Sequence, residues 1–321
     1  MNTAAAIPLQ DIKRAQVNIK EHVLRTPLIH FEQDNPAYEI YLKAENLQPI
    51  GSFKLRGACN AMTEINPSNL REGVYTASAG NMAQGVAWNA RMRNIPCTVY
   101  VPEQAPQTKL DAIERLGAKF VKLPFDEWWQ ILVNHEREGA QGQFIHPVSR
   151  PDVIAGNGTV GLEILEDLPH VDAIVIPFGG GGLSTGIASA VKALNSDIRV
   201  FASEVETACP LAESLTANRP LNIDYRASFV DGIGSGGILT EMWEMVSTLL
   251  DGSIVVSLQE VSNAIRQMIV QNRIIAEGAG GSSLAAALTG KAGLGKIVCV
   301  ISGGNIDFSK LEVIMRGEIP H

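Results

Sequence analysis

Between residues 74 and 145 short apolar runs alternate with helix-compatible segments so quickly that a parallel sheet with crossover helices is the expected solution. Residues 74–77, 98–101, 118–123 and 143–145 read as strands, and 82–93, 107–116 and 126–138 as the helices between them. A second series follows, with strands at 173–178, 198–203, 254–256 and 296–301 and helices at 156–168, 183–194, 209–216, 258–272 and 282–288. Ahead of both lie an amphipathic helix over 8–24, a strand at 40–43 and a helix over 53–65. Many of the strands are apolar, as in sheets covered on both faces. The expectation is an α/β protein of two lobes, each an open, largely parallel sheet flanked by helices. Residues 1–70 plus 149–321 would form a large lobe, and 71–148 a small inserted one.

Several function classes fall away on composition. A formal charge of −8 over 321 residues argues against a nucleic-acid binder. No apolar run reaches membrane-spanning length, and residues 1–6 lack the charged and apolar regions of a secretory leader. Cys59, Cys97, Cys209 and Cys299 are scattered, which suggests reduced thiols in a cytoplasmic protein. The six histidines (22, 30, 135, 146, 170 and 321) show no metal-ligand spacing. Trp128-Trp129 reads as core packing, with one ring free to line a cleft.

Four stretches carry chemistry. In Gly51-Ser52-Phe53-Lys54 the glycine supplies a turn and Ser52 is a suitable N-cap, so Lys54 falls in the first turn of a helix. A lysine there opposes the helix dipole, and its apolar neighbours Ile50, Phe53 and Leu55 would desolvate it. Both effects lower an amine pKa, as a Schiff-base lysine requires. Gly179, Gly180, Gly181 and Gly182 lie between an apolar strand and a helix, where backbone N–H groups approach a phosphate. Ser302-Gly303-Gly304-Asn305 ends the last strand, the position at which open α/β sheets bind ligands. Ser78, Ala79, Gly80 and Asn81 form the same kind of strand-end loop and make a plausible carboxylate cradle. Gly232-x-Gly234-x-x-Gly237 matches a dinucleotide fingerprint in letters, but no strand precedes it, which weighs against a nicotinamide site.

Taken together and in this order, these stretches resemble the fold-type II pyridoxal-phosphate enzymes (tryptophan-synthase-β-like), in the threonine/serine dehydratase and serine racemase branch. His146-Pro147, the 153–159 run Val-Ile-Ala-Gly-Asn-Gly-Thr and Glu277-Gly278-Ala279-Gly280 extend the resemblance over nearly the whole chain. It implies that Lys54 forms the Schiff base with pyridoxal 5'-phosphate and that Phe53 packs beside the ring. Asn81 would bond the ring's phenolic oxygen, and the backbone from Gly179 to Leu183 would hold the phosphate. Ser302 would face the pyridine nitrogen. Ser78 with the backbone of Ala79, Gly80 and Asn81 would bind the substrate carboxylate; in racemases of the branch the matching serine is also an acid/base on the opposite face. A homo-oligomer, a dimer first, is implied as well.

Three departures stand out. Met82 occupies a position where relatives often carry histidine, which implies a less polar substrate pocket. Glu204 and Ala208 match ligands of a monovalent or divalent cation site, yet Pro210 stands where some relatives place a second acid. The chain also stops soon after Asn305, so the C-terminal regulatory domain of biosynthetic threonine dehydratases is not expected. The expected activity is a lyase that removes water from a β-hydroxy amino acid, giving a 2-keto acid and ammonia. Rivals are a serine-type racemase, a dehydratase of a bulkier acid such as phenylserine, hydroxyaspartate or a hydroxyectoine-derived acid, a non-catalytic cofactor-binding protein and an NAD-dependent oxidoreductase.

Overall fold

A computed structural model describes residues 6–33, 35 and 37–320. Most of the stretch read for a leader, and His321, lie outside the described residues. The chain builds two sheets. Strands β1 (Leu28–Phe31), β2 (Tyr38–Lys43), β7 (Ala173–Pro177), β8 (Arg199–Val205), β9 (Gly252–Val256) and β10 (Gly295–Val300) form a six-stranded sheet in the order β1-β2-β10-β7-β8-β9. Only β1 runs antiparallel to its neighbour; the remaining pairs are parallel. Strands β3 (Val74–Ala77), β4 (Cys97–Pro102), β5 (Lys119–Leu123) and β6 (Gln143–Phe144) form a wholly parallel sheet in the order β5-β4-β3-β6. The central strands β7 and β3 are buried at every residue. Edge strand β5 presents Lys119 and Lys122 to solvent, a protection against edge-to-edge pairing.

Helices cover both faces of the large sheet. On one side lie α11 (Leu258–Asn272), α12 (Gly278–Leu288) and α13 (Phe308–Met315); on the other lie α1 (Leu9–Ile19), α7 (Pro151–Asp167), α8 (Gly182–Leu194) and α10 (Trp243–Leu249). The small sheet is covered by α4 (Asn81–Arg93), α5 (Gln107–Arg115) and α6 (Phe125–Asn134), with α2 (Lys54–Glu64) alongside. Two short helices complete the series, α3 (Pro67–Leu70) and α9 (Pro210–Ala217).

Helix α2 stands at the junction. Its Ala58, Ala61 and Met62 pack into the small sheet's core with Val74, Val99 and Leu110. On another face it meets α7 backbone to backbone: a Cβ on Gly57 would lie 2.8 Å from the Val153 carbonyl oxygen, and one on Gly156 would lie 2.6 Å from that of Arg56. Arg56 then closes a buried ion network. Its guanidinium meets Glu45 at 2.7 Å and Glu163 at 2.7 Å, while Lys43 Nζ meets Glu163 at 2.6 Å and donates to the Thr26 carbonyl at 2.7 Å. Two cations and two anions balance there, and β2, α2 and α7 are tied into one unit.

Local expectations needed correcting where long-range contacts decide. Ser52 does not cap α2: Phe53 occupies the N-cap position, and the Ser52 hydroxyl is buried without a partner among the described residues. Helix α1 ends at Ile19, short of Leu24, and α6 ends at Asn134 because His135 turns left-handed. Helix α7 begins at Pro151, five residues earlier than expected, with Pro at the first helical position, and α12 begins at Gly278 rather than Ser282. The glycine-rich start of α12 is dictated by packing, since a Cβ on Gly280 would lie 2.7 Å from the Gly303 carbonyl oxygen. Strand β1 and helices α3, α10 and α13 were not anticipated.

Removing one member of the network leaves buried charge uncompensated, so Arg56→Leu should lower unfolding stability by about 3–5 kcal/mol. Urea titration checks this, with the exposed Arg14→Ala as a control expected to change stability by about 1 kcal/mol or less.

Candidate active site

The loops that carry chemistry all leave the C-terminal ends of parallel strands. Ser78 follows β3, Gly179 follows β7 by one residue, and Ser302 follows β10 by one residue. They meet in a cleft of about 740 Å³ between the two sheets, which is also lined by Phe53, Lys54, Pro147 and Glu277. Helices α2, α4, α8, α12 and α13 all present their N-terminal ends to it. Orphan N–H groups and positive dipole ends thus converge on one space, an arrangement suited to anions.

The glycine loop is the sharpest of these ends. Gly181 adopts φ +93°, where an L side chain is strained, and α8 makes its first backbone bond from Thr185 N–H to the Gly181 carbonyl. The earlier N–H groups, from Gly179 to Leu183, border the cleft without a backbone acceptor among the described residues. A Cβ on Gly182 would lie 2.6 Å from the Val148 carbonyl oxygen, so the loop is pressed against residues 147–148. The loop at the head of α4 is similar. Ser78 Oγ accepts the Gly80 N–H at 3.2 Å, and a Cβ on Gly80 would point into open space.

Lys54 is the first residue of α2, and its Nζ donates to the Pro147 carbonyl at 2.9 Å and sits 5.1 Å from the Phe53 ring centre. Burial pushes its amine down to about 8, against the opposing charge of Glu277. Glu277, just ahead of α12, is pushed up to about 7 by burial and by Asp231, while the hydrogen bond from Asn81 acts the other way. Asn81 Nδ2 donates to Glu277 Oε1 at 2.8 Å, and its Oδ1 accepts from Asn305 Nδ2 at 2.8 Å. The amide therefore keeps its second N–H for a ligand oxygen. Ser302 is buried at the cleft floor, its carbonyl accepting the Phe53 N–H at 3.0 Å. Lys109 on α5 and Asp231 close one edge of the cleft with an ion pair of 2.8 Å.

Lys54, Ser78, Ala79, Gly80, Asn81, Phe53, Gly179 to Leu183 and Ser302 therefore share one cleft. Met82 lines it as a buried thioether, and of the tryptophan pair Trp128 lines it while Trp129 faces outward. Glu204 and Ala208 lie apart, outside its lining. Both Glu204 oxygens are engaged by the N–H groups of Leu211 and Ala212 and by the Ser253 hydroxyl, so this carboxylate caps α9. The Gly232–Gly237 stretch begins inside a 3-10 turn, Asp231–Ile233, and not after a strand. Glu277, Pro147 and the Lys109–Asp231 pair were missed as site residues; the Glu277-Gly278 and His146-Pro147 motifs hinted at the first two.

The residues present fit pyridoxal phosphate. A phosphate matches the unpaired N–H groups around Gly181, a lysine of lowered pKa matches an aldehyde, and a seryl hydroxyl matches a ring nitrogen. The comparisons with known proteins agree. The model of the family described as pyridoxal-phosphate dependent enzyme matches residues 19–303. The L-threonine ammonia-lyase of Thermotoga maritima is 40% identical over 97% of this chain and 78% of its own length. A catabolic L-threonine dehydratase of Staphylococcus aureus is 35% identical over 98% of this chain and 94% of its own. Among solved structures, maize serine racemase superposes with a TM-score of 0.88 at 31% identity, covering 98% of this chain and 97% of that one.

Glu277 gives a cofactor-independent prediction. Its folded pKa of about 7 exceeds the ordinary carboxylate value, so its contribution is complete below about 4.5 and is lost as pH rises through about 7. Glu277→Gln should flatten that part of the stability profile of the cofactor-free protein, measured as thermal midpoint against pH. An unchanged slope would show that the carboxyl titrates normally.

Proposed function

The chain belongs to the pyridoxal-phosphate-dependent enzyme family, and from that membership we propose that it is an ammonia-lyase for a β-hydroxy amino acid of the threonine and serine kind. The net reaction removes water across Cα and Cβ, and hydrolysis of the enamine then yields a 2-keto acid and ammonia. The observation that carries this reading is Lys54, an amine of lowered pKa held at 2.9 Å by a carbonyl, in the same cleft as the glycine loop.

When bound, pyridoxal phosphate supplies an electron sink for the pair left on Cα after its proton departs. In this reading Lys54 Nζ first anchors the cofactor and, once released, takes that proton; a pKa of about 8 leaves about a tenth of the amine neutral at pH 7, far more than an ordinary lysine has. The N–H groups at the head of α4, with Ser78, hold the substrate carboxylate. Those from Gly179 to Leu183 hold the phosphate, and Phe53 packs beside the ring. Asn81, with its second N–H, addresses the phenolic oxygen, and Ser302 addresses the ring nitrogen. Buried Met82 lines the same pocket and favours an apolar β-substituent. The Ser78 hydroxyl accepts from the Gly80 N–H, which supports a positioning role over the acid/base role a racemase requires. Four free thiols, three of them buried, support a cytoplasmic setting, and we propose a homodimer.

The test is to follow keto acid, ammonia and enantiomer composition together with L-threonine and L-serine. Borohydride should fix the cofactor to Lys54, and Lys54→Ala should lose at least about 10²–10⁴-fold in turnover. Ser78→Ala should lower kcat/KM by about tenfold without changing the product, the cost of one hydrogen-bonding group. Normal turnover in Lys54→Ala would overturn the assignment. Inversion of serine much faster than ammonia release would replace the lyase with a racemase.

A further inference from the structure

Between β6 and α7 the chain makes a tight turn, His146 to Ser149, in which the N–H groups of Val148 and Ser149 both bond one imidazole. His146 is buried, and its Nδ1 accepts the N–H groups of Val148 at 3.1 Å and Ser149 at 2.9 Å, with the Ser149 hydroxyl also at 3.1 Å. Its Nε2 lies 3.2 Å from the Leu132 carbonyl. Amide nitrogens only donate and carbonyls only accept, so Nδ1 is the acceptor and the proton resides on Nε2. The His135 ring stacks on this imidazole at 4.4 Å between centroids. His135, His146 and Glu241 bring ligand atoms within 4.8 Å of one another. They still do not make a metal centre, because neither His146 nitrogen has a free lone pair.

What depends on this turn is the catalytic apparatus. The Pro147 carbonyl is the acceptor for Lys54 Nζ at 2.9 Å. Val148 presses on the glycine loop: a Cβ on Gly180 would lie 2.7 Å from the Val148 side chain, and one on Gly182 would lie 2.6 Å from its carbonyl oxygen. A shift of the 146–149 backbone would therefore move the partner of the lysine and the seat of the phosphate loop together. We propose that His146 is a positioning residue whose Nδ1, acting as a fixed acceptor, sets the turn that holds Lys54 Nζ and backs the glycine loop. The inference rests on the function proposed above. Burial and the neighbouring His135 push the imidazole down to about 4, so the acceptor persists throughout the range in which such an enzyme works.

Asparagine supplies the test, because its Oδ1 occupies the place of Nδ1 and accepts N–H groups two and three residues on. His146→Asn should keep pyridoxal-phosphate affinity within about twofold and preserve the absorbance of the lysine-bound cofactor. His146→Leu and His146→Gln offer no acceptor at that point and should each weaken cofactor affinity about tenfold, the loss of one such interaction. In the cofactor-free protein they should also speed amide exchange at Val148 and Ser149 and change the acetylation rate of Lys54. The glutamine variant keeps a polar side chain should the leucine variant fold poorly. Equal behaviour of the asparagine and glutamine variants, whether both intact or both impaired, would overturn the proposal. Failure of the function itself would show differently, as a wild-type protein with no lysine-bound cofactor. Amide exchange and Lys54 acetylation would then decide the matter, and unchanged acetylation in His146→Gln would overturn it.

Discussion

The placement of Lys54 depends on a charge two residues away that never reaches solvent. Arg56 bonds Glu45, two residues past β2, and Glu163 on α7, and Lys43 at the end of β2 completes the balance. Burying four charges is expensive, and a network of this kind contributes less to net stability than an apolar core of the same volume would. What it supplies is register. Helix α2 cannot slide or rotate against α7 without separating the guanidinium from both carboxylates, and the close backbone contact at Gly57 and Gly156 leaves no room for a second arrangement. Since Lys54 opens α2, the direction of its side chain into the cleft is set by this network from behind.

Electrostatics in the cleft then follow from helix ends and burial acting in opposite senses. The convergence of five helix N-termini makes the space receptive to anions and unwelcoming to cations. Desolvation acts on both signs of charge: it lowers Lys54 to about 8 and raises Glu277 to about 7. Both groups are thereby brought near neutral pH, the range in which a proton carrier is useful. Asn81 links this chemistry to the small sheet, because one amide bonds Glu277 and accepts from Asn305.

Much of this was legible in the sequence, and the failures have a common cause. Loops that follow apolar strands announce themselves by glycine and serine, so Ser78, Gly179 to Gly182 and Ser302 could be found from local pattern alone. Ser52 misled because a serine before a helix normally caps it, whereas here the isolated bridge to Gly303 fixes that backbone and buries the hydroxyl. Glu277 escaped because Gly278, Ala279, Gly280 and Gly281 have weak helical character, while packing against Gly303, Ile265 and Val261 makes them a helix. The Pro147 carbonyl could not be read at all: a backbone acceptor has no letter of its own.

The contacts that join the two sheets differ in kind on the two sides of the cleft. On the cleft side the two sheets are linked by polar contacts: Lys109 with Asp231, His135 with Glu241, and Asn81 with Glu277 and Asn305. The Lys109–Asp231 pair and the His135–Glu241 contact are partly exposed, and an exposed ion pair is worth about 0–1 kcal/mol. Behind the cleft the linkage is apolar and close-packed, through Ala58, Ala61, Met62 and Val153. Burial of that kind is worth about 1.5–3 kcal/mol for each large side chain. The weak contacts therefore lie at the cleft mouth and the strong ones behind it, where α2, which carries Lys54, is packed.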